Sequence, residues 1–253
     1  MGQTDALKQR AVALVTGGSG GIGSAIARRL ASAGMRLVVT YNGNREKAEQ
    51  TVASLAGEEH RSIQLSFEDP GSVRRVLESV ESVEGRLDVL VNNAGFTKAV
   101  DHKDLAGLTD ELIDRIFQVN WRGAFAMVRA GSALLEAGEG GVIVNISSVA
   151  GRTGLGSNVA YCASKAALDS MTRSLARALA PKIRVLSVSP GWVAGEYASR
   201  MPRELLDSQR KATPLGRIAA PEDVAEAVAA AVFHLPFSTG DIIPVDGGRP
   251  LGI

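Results

Sequence analysis

"TGGSGGIG" occupies residues 16–23 and joins a β-rich run to a stretch with helical apolar spacing. Upstream, "AVALVTG" (11–17) reads as a short strand ending in glycine. Downstream, "GSAIARRLASAG" (23–34) reads as a helix that stops at Gly34. Glycines at 17, 21 and 23 let the backbone turn sharply and approach a pyrophosphate. The helix N-terminus adds free N–H groups and a partial positive charge. A tight strand–helix turn without a ligand is the plain alternative, and the strand–turn–helix context argues against it.

The rest of the chain repeats this alternation. Strands are expected at 35–41, 62–67, 87–95, 140–148, 182–191 and 240–248, and helices at 45–57, 70–83, 109–137, 157–180 and 221–235, with a polar stretch at 192–213. Most strands are apolar on both faces. This predicts one α/β domain over 1–253, a doubly wound (Rossmann) parallel sheet of about seven strands with helices on both faces. In such a sheet ligands bind at the carboxyl ends of the strands. The glycine and polar clusters at 17–23, 92–95, 147–151 and 190–195 all fall at strand ends, so they are expected to converge on one cleft.

Composition narrows the partners. The 253 residues carry 28 Lys+Arg and 27 Asp+Glu, a net charge of +1 that implies no nucleic-acid partner. No apolar run approaches the ~20 residues of a membrane span, and "MGQTDALKQR" (1–10) lacks the apolar core of a signal peptide. Cys162 is the only cysteine, which excludes intramolecular disulfides and fits a reducing, cytoplasmic setting. His60, His102 and His234 show no metal-ligand spacing, so no metal is expected.

Two further motifs accompany the glycine turn: "NNAG" (92–95) and "YCASK" (161–165). Spacing of four places Tyr161 and Lys165 on one helix face, where a cation would stabilise phenolate and lower a pKa that is ordinarily about 10. Together with T-G-x-x-x-G-x-G, these motifs make the chain, from about residue 10 to 248, resemble the short-chain dehydrogenase/reductase family. The resemblance implies an NAD(P)-dependent oxidoreductase interconverting a ketone or aldehyde and an alcohol, in the manner of carbonyl reductases and 3-oxoacyl reductases. An NAD-linked secondary-alcohol dehydrogenase and a non-catalytic nucleotide sensor are the alternatives. The intact Ser148/Tyr161/Lys165 set speaks against the sensor.

The resemblance also implies roles. Tyr161 is the acid/base, and Lys165 tunes it and bonds the nicotinamide ribose. Ser148, thirteen residues before the tyrosine, polarises the carbonyl, leaving Ser147 as a turn-capping hydroxyl. Asn120 sits at a helix distortion and holds a water linking the lysine to solvent. Gly17, Ser19, Gly21, Ile22 and Gly23 cradle the cofactor, as do Asn93, Ala94 and Gly95 after the fourth strand. Pro190 and Gly191 shape a turn beside the nicotinamide, and the Val193 backbone meets its carboxamide. Where many relatives have a threonine two residues on, this chain has Gly195.

Cofactor choice is read at the end of the second strand. Thr40, Tyr41 and Asn42 stand there with no acid until Glu46, and Arg45 is close by. A carboxylate would bond the ribose 2′-hydroxyl, so its absence favours NADP(H), with NAD(H) the alternative. Gly20 stands where NADP-using relatives often have a basic residue. Ser66 stands where the family has an Asp for the adenine amine, with Asp69 after it. Substrate loops are expected at 96–100, 152–157 and 192–201, with Trp192 and Tyr197 as candidate walls. Glu136 and Glu139 argue against an acyl carrier protein partner, leaving a small carbonyl or alcohol substrate. The resemblance implies a homotetramer, or a homodimer.

Overall fold

The computed structural model describes residues 11–199 and 201–249, and at Glu196 and Tyr197 the backbone alone, so the Tyr197 side chain lies outside the described part. Seven strands form one sheet: β1 (Val12–Val15), β2 (Arg36–Tyr41), β3 (Arg61–Gln64), β4 (Val89–Asn92), β5 (Gly141–Ile146), β6 (Ile183–Pro190) and β7 (Ile242–Val245). Their order is β3-β2-β1-β4-β5-β6-β7, and every pairing is parallel. The expected doubly wound sheet is therefore present. The direction of winding reverses between β1 and β4, where an open α/β sheet leaves a crevice.

The helices are α1 (Gly21–Ser32), α2 (Arg45–Ala53), α3 (Ser72–Glu84), α4 (Asp110–Phe117), α5 (Ala124–Glu136), α6 (Ala150–Thr153), α7 (Val159–Leu179), α8 (Glu196–Ser199), α9 (Arg203–Lys211) and α10 (Pro221–Phe233). Alternate strand residues feed two cores, as the pleat requires. Ala13, Val15, Val91 and Val144 pack with Ile26 and Leu30 of α1 and Val224 and Val228 of α10. Val12, Leu14, Leu90 and Ile143 pack on the other side with Val76 of α3, Met127 of α5 and Ala176 of α7. Among the described residues no helix is long and apolar enough to cross a membrane.

Several boundaries differ from the sequence expectation. The helix expected over 109–137 is two α-helices joined by a π-helical segment, Gln118–Gly123. Packing explains the widening. Asn120 is buried at its centre, and an ideal Cβ on Gly123 would lie 2.5 Å from the Phe67 ring, so only glycine lets that ring close on the segment. The polar stretch at 192–213 contains α8 and α9. The first helix starts at Gly21, two residues early, because Gly20 is extended and ends the turn there. The last strand is confined to 242–245.

At the end of the sheet remote from the cleft, Glu84 closes α3. Its side chain is fully buried, within 3.3 Å of Arg36 and 2.7 Å of Arg61. Arg61 makes a two-pronged bond to it through Nε and Nη2, and Gly85, at φ 68°, turns the chain away in the left-handed region. One carboxylate thus fastens α3 to the starts of β2 and β3.

Candidate active site

Thr16, at the end of β1, organises the crevice. Its hydroxyl accepts the N–H groups of Asn93 and Ala94, both at 3.0 Å. Asn93 returns its amide to the carbonyls of Thr16 (2.9 Å) and Gly17 (3.0 Å). The Gly17 N–H reaches Thr40 Oγ1 at 3.2 Å, tying in the end of β2. Gly23 must be glycine, because an ideal Cβ there would sit 2.4 Å from the Gly17 carbonyl and 2.6 Å from Asn93 Nδ2. The "TGGSGGIG" and "NNAG" motifs are therefore two halves of one hydrogen-bonded unit.

A cleft of about 530 Å³ opens over this unit. Of the expected cofactor residues, Gly17, Ser19, Tyr41, Asn42, Asn93, Ala94 and Gly95 line it. Gly21, Ile22 and Gly23 form the first turn of α1, which has no side-chain cap and no acid in that turn. A bare glycine cradle at an uncapped helix N-terminus suits a diphosphate, so these residues fit a dinucleotide. Arg45 does not line the cleft. It is exposed and paired along α2 with Glu49 at 2.7 Å, because Asn44 caps the helix and starts it with Arg45 on the outer side. Lys47 lines the cleft instead. Its Nζ lies 2.9 Å from where a Cβ on Gly20 would be, in the space a side chain at 20 would use. Ser66 does not line the cleft. Its hydroxyl accepts the Glu68 N–H at 3.3 Å, while Leu65, Phe67 and Glu68 form the wall. Neither Lys47 nor this wall was singled out in the sequence. Asn44, three residues before Lys47, was the available signal, as a helix cap that fixes which residues face inward.

The reacting end begins beyond Gly95. An ideal Cβ on Gly95 would lie 3.5 Å from Asn120 Oδ1 and 3.8 Å from Lys165 Nζ, so the Gly95 corner of the cleft abuts both groups, although neither they nor Ser148, Tyr161, Pro190, Gly191 and Val193 line it. Asn120 Oδ1 accepts the Phe96 N–H at 2.7 Å, and Nδ2 reaches the Phe96 carbonyl (3.1 Å) and Ser164 Oγ (3.0 Å). It locks the loop after β4 to α7. Asn158, only 1% exposed, caps α7 by accepting the Tyr161 N–H at 2.7 Å, and its Nδ2 reaches the Lys98 carbonyl at 2.7 Å. It was missed in the sequence, although an Asn three residues ahead of a helix residue is a cap signal.

Lys165 is buried and donates to the Ile146 carbonyl at 2.8 Å, with its Nζ 5.8 Å from the centre of the Tyr161 ring. Burial lowers its pKa to about 8, and the charge of Asp169 opposes that fall. The two serines after β5 diverge. Ser147 is buried and donates to the Lys165 carbonyl at 3.3 Å, whereas Ser148 is half-buried and accepts the Ala150 N–H at 3.2 Å. The turn-capping bond expected of Ser147 thus belongs to Ser148. The Pro190 carbonyl accepts the Val149 N–H at 3.0 Å, so the loop after β6 abuts the serine loop. Trp192 and Ala194 pair with Ala219, and Val193 between them turns its own N–H and carbonyl to the opposite side. A Cβ on Gly191 would lie only 3.2 Å from Asp246, so the absence of a side chain lets that turn stay tight.

The chain matches, over residues 17–249, the family model described as enoyl-(acyl carrier protein) reductase. A protein of Streptomyces violaceoruber assigned as ketoacyl reductase 2 of the granaticin polyketide synthase is 38% identical over 242 residues, covering 95% of this chain and 96% of its own. The 3-oxoacyl-[acyl-carrier-protein] reductase FabG of Aquifex aeolicus is 35% identical over 246 residues, covering 95% and 97%. A crystal structure from Burkholderia xenovorans, assigned to the short-chain dehydrogenases/reductases, superposes with a TM-score of 0.89 at 33% identity, covering 96% of this chain and 98% of that one.

Proposed function

The chain belongs to the short-chain dehydrogenase/reductase family and is an NAD(P)-dependent oxidoreductase, and from that premise we propose that it reduces a ketone or aldehyde, of the 3-oxoacyl class, with NADPH. The observation that carries the reading is the buried Lys165 one helical turn from Tyr161, beside the Gly95 corner of the glycine-lined cleft. The bound nicotinamide supplies the hydride. Tyr161 protonates the oxygen that becomes the alcohol, and the Lys165 ammonium favours the phenolate left behind. Ser148 donates to the same oxygen and fixes its orientation. Asn120 and Asn158 tie α7, which carries Tyr161 and Lys165, to the loop after β4. The reverse reaction needs the same residues with the proton moving the other way.

The preference for NADPH rests on Lys47. Gly20 leaves room for its ammonium at the mouth of the glycine turn, where a 2′-phosphate would sit, and no carboxylate follows β2 directly. Lys47→Ala is expected to raise the KM for NADPH about 10–100-fold, the worth of a charge-assisted bond to phosphate, with little effect on NADH. Arg45→Ala is expected to change neither. The reverse pattern in initial-rate kinetics would return the role to Arg45. Ser148→Ala is expected to cost about 10²–10³ in kcat, and Ser147→Ala distinctly less.

The function itself is tested with a panel of ketones, aldehydes, 3-oxoacyl thioesters and enoyl thioesters, following NADPH absorbance, with NADH in parallel. The family model's description favours one second reading, reduction of an enoyl thioester. Turnover confined to that substrate would replace the carbonyl reading. A homotetramer or homodimer is the assembly that the family resemblance supports. The cytoplasm is the proposed compartment, on the single cysteine.

A further inference from the structure

We propose that Asp169 is a positioning residue of the proton-transfer centre, the fixed counter-charge that keeps Lys165 an ammonium ion beside Tyr161; this rests on the reading of Tyr161 and Lys165 given above. Tyr161, Lys165 and Asp169 follow one another at intervals of four along α7, so they share one face of that helix. Asp169 is only 7% exposed, yet its carboxylate is satisfied: Ser187 Oγ of β6 donates at 3.1 Å, and the Ser147 hydroxyl also stabilises it. Ser147 has one hydroxyl hydrogen, shared between this carboxylate and the Lys165 backbone carbonyl, so it bridges Asp169 to the helix backbone and not to the lysine's charge.

The Ser187 bond also ties α7 to β6. A second cleft, of about 510 Å³, lies between α6, α7 and β7, outside the cofactor cleft, and Asp169 lies on its wall. The charged groups facing Asp169 are Lys165 and Arg173 from α7, with Arg152 of α6 and Asp241 ahead of β7 on the same cleft. Arg152 is turned to Asp246, at 3.4 Å, and β5 and β6 present hydroxyls. Arg173 is exposed and screened by water. Lys165 is buried, so the Asp169 charge acts on it at a low local dielectric. Burial lowers the pKa of Lys165 and raises that of Asp169, and each charge supports the other. Asp169 stands about 6 Å of helix rise from Lys165 and about 12 Å from Tyr161, so its effect on the phenol acts chiefly through the lysine.

The sign follows. Without the carboxylate, Lys165 loses its proton at lower pH, and Tyr161 must then ionise without a neighbouring cation. The test uses Asp169→Asn and Asp169→Glu in the full chain, with two readouts. The first is phenolate absorbance against pH, with Tyr161→Phe identifying the step among the three tyrosines. Asp169→Asn is expected to move that step to higher pH, and Asp169→Glu to restore it. The second is the pH profile of kcat for reduction, which needs Tyr161 protonated, so its fall on the alkaline side is expected to follow the phenolate step to higher pH in Asp169→Asn. Identical phenolate titrations in wild type and a folded Asp169→Asn variant would overturn the proposal. Should that variant melt before it can be titrated, Ser187→Ala takes its place. It removes a bond that keeps the carboxylate charged, so a smaller shift of the same sign supports the proposal and no shift overturns it. The phenolate readout needs no substrate. A moved step without turnover of any carbonyl would sink the reductase reading and leave this one standing.

Discussion

Tyr161→Phe is expected to lower kcat by about 10²–10⁴-fold, the usual worth of a positioned general acid, while cofactor binding stays within about threefold. The phenyl ring keeps the shape of the site and removes one oxygen. The Asn158 cap acts on the residue-161 backbone and is untouched, as are the Thr16–Asn93 unit and the Gly20–Lys47 corner that would hold the nucleotide. Fluorescence titration with NADPH alongside steady-state rates separates the two quantities. Lost affinity with the rate unchanged would mean that Tyr161 serves binding, and undiminished turnover would remove it from the chemistry.

Glu84→Ala is expected to cost about 3 kcal/mol of stability, at the lower end of the range for breaking a buried ion pair. Both arginine side chains are 24% exposed, so water can partly rescue them, whereas the carboxylate side chain is wholly buried. For a chain of this size the loss corresponds to a melting temperature lower by about 6–12 °C. Glu84→Gln keeps the shape and some hydrogen bonding and should fall between. An alanine variant that melts within a degree of the parent would show that the three-element junction adds nothing net.

The doubly wound sheet was legible because most strands are apolar on both faces and alternate with stretches of helical apolar spacing, and those periods are set by backbone geometry alone. Within the site, the glycine turn, "NNAG" and the Tyr161–Lys165 spacing were legible as motifs because their spacing is local. What was not legible depends on contacts between elements distant in sequence. Arg45 and Lys47 are both basic and two residues apart, and only the Asn44 cap and the space at Gly20 decide which one faces the cleft. Ser147 and Ser148 look alike in sequence, and their divergence becomes visible with α7 in place. Asn158, buried between two loops, appears in the sequence as an ordinary polar residue before a helix.

The wide turn at Gln118–Gly123 has a consequence for how the chain can change. A π-turn is an α-helix carrying one surplus residue. Deleting any one of the six would restore ordinary winding and leave Asp110–Phe117 and Ala124–Glu136 nearly in phase, but it would re-aim the side chains of the segment itself. Asn120, at the centre of the segment, would lose Phe96. Many side chains here can be exchanged for others of similar bulk. Residue count cannot, so across descendants of this chain the segment should keep its length more strictly than its letters.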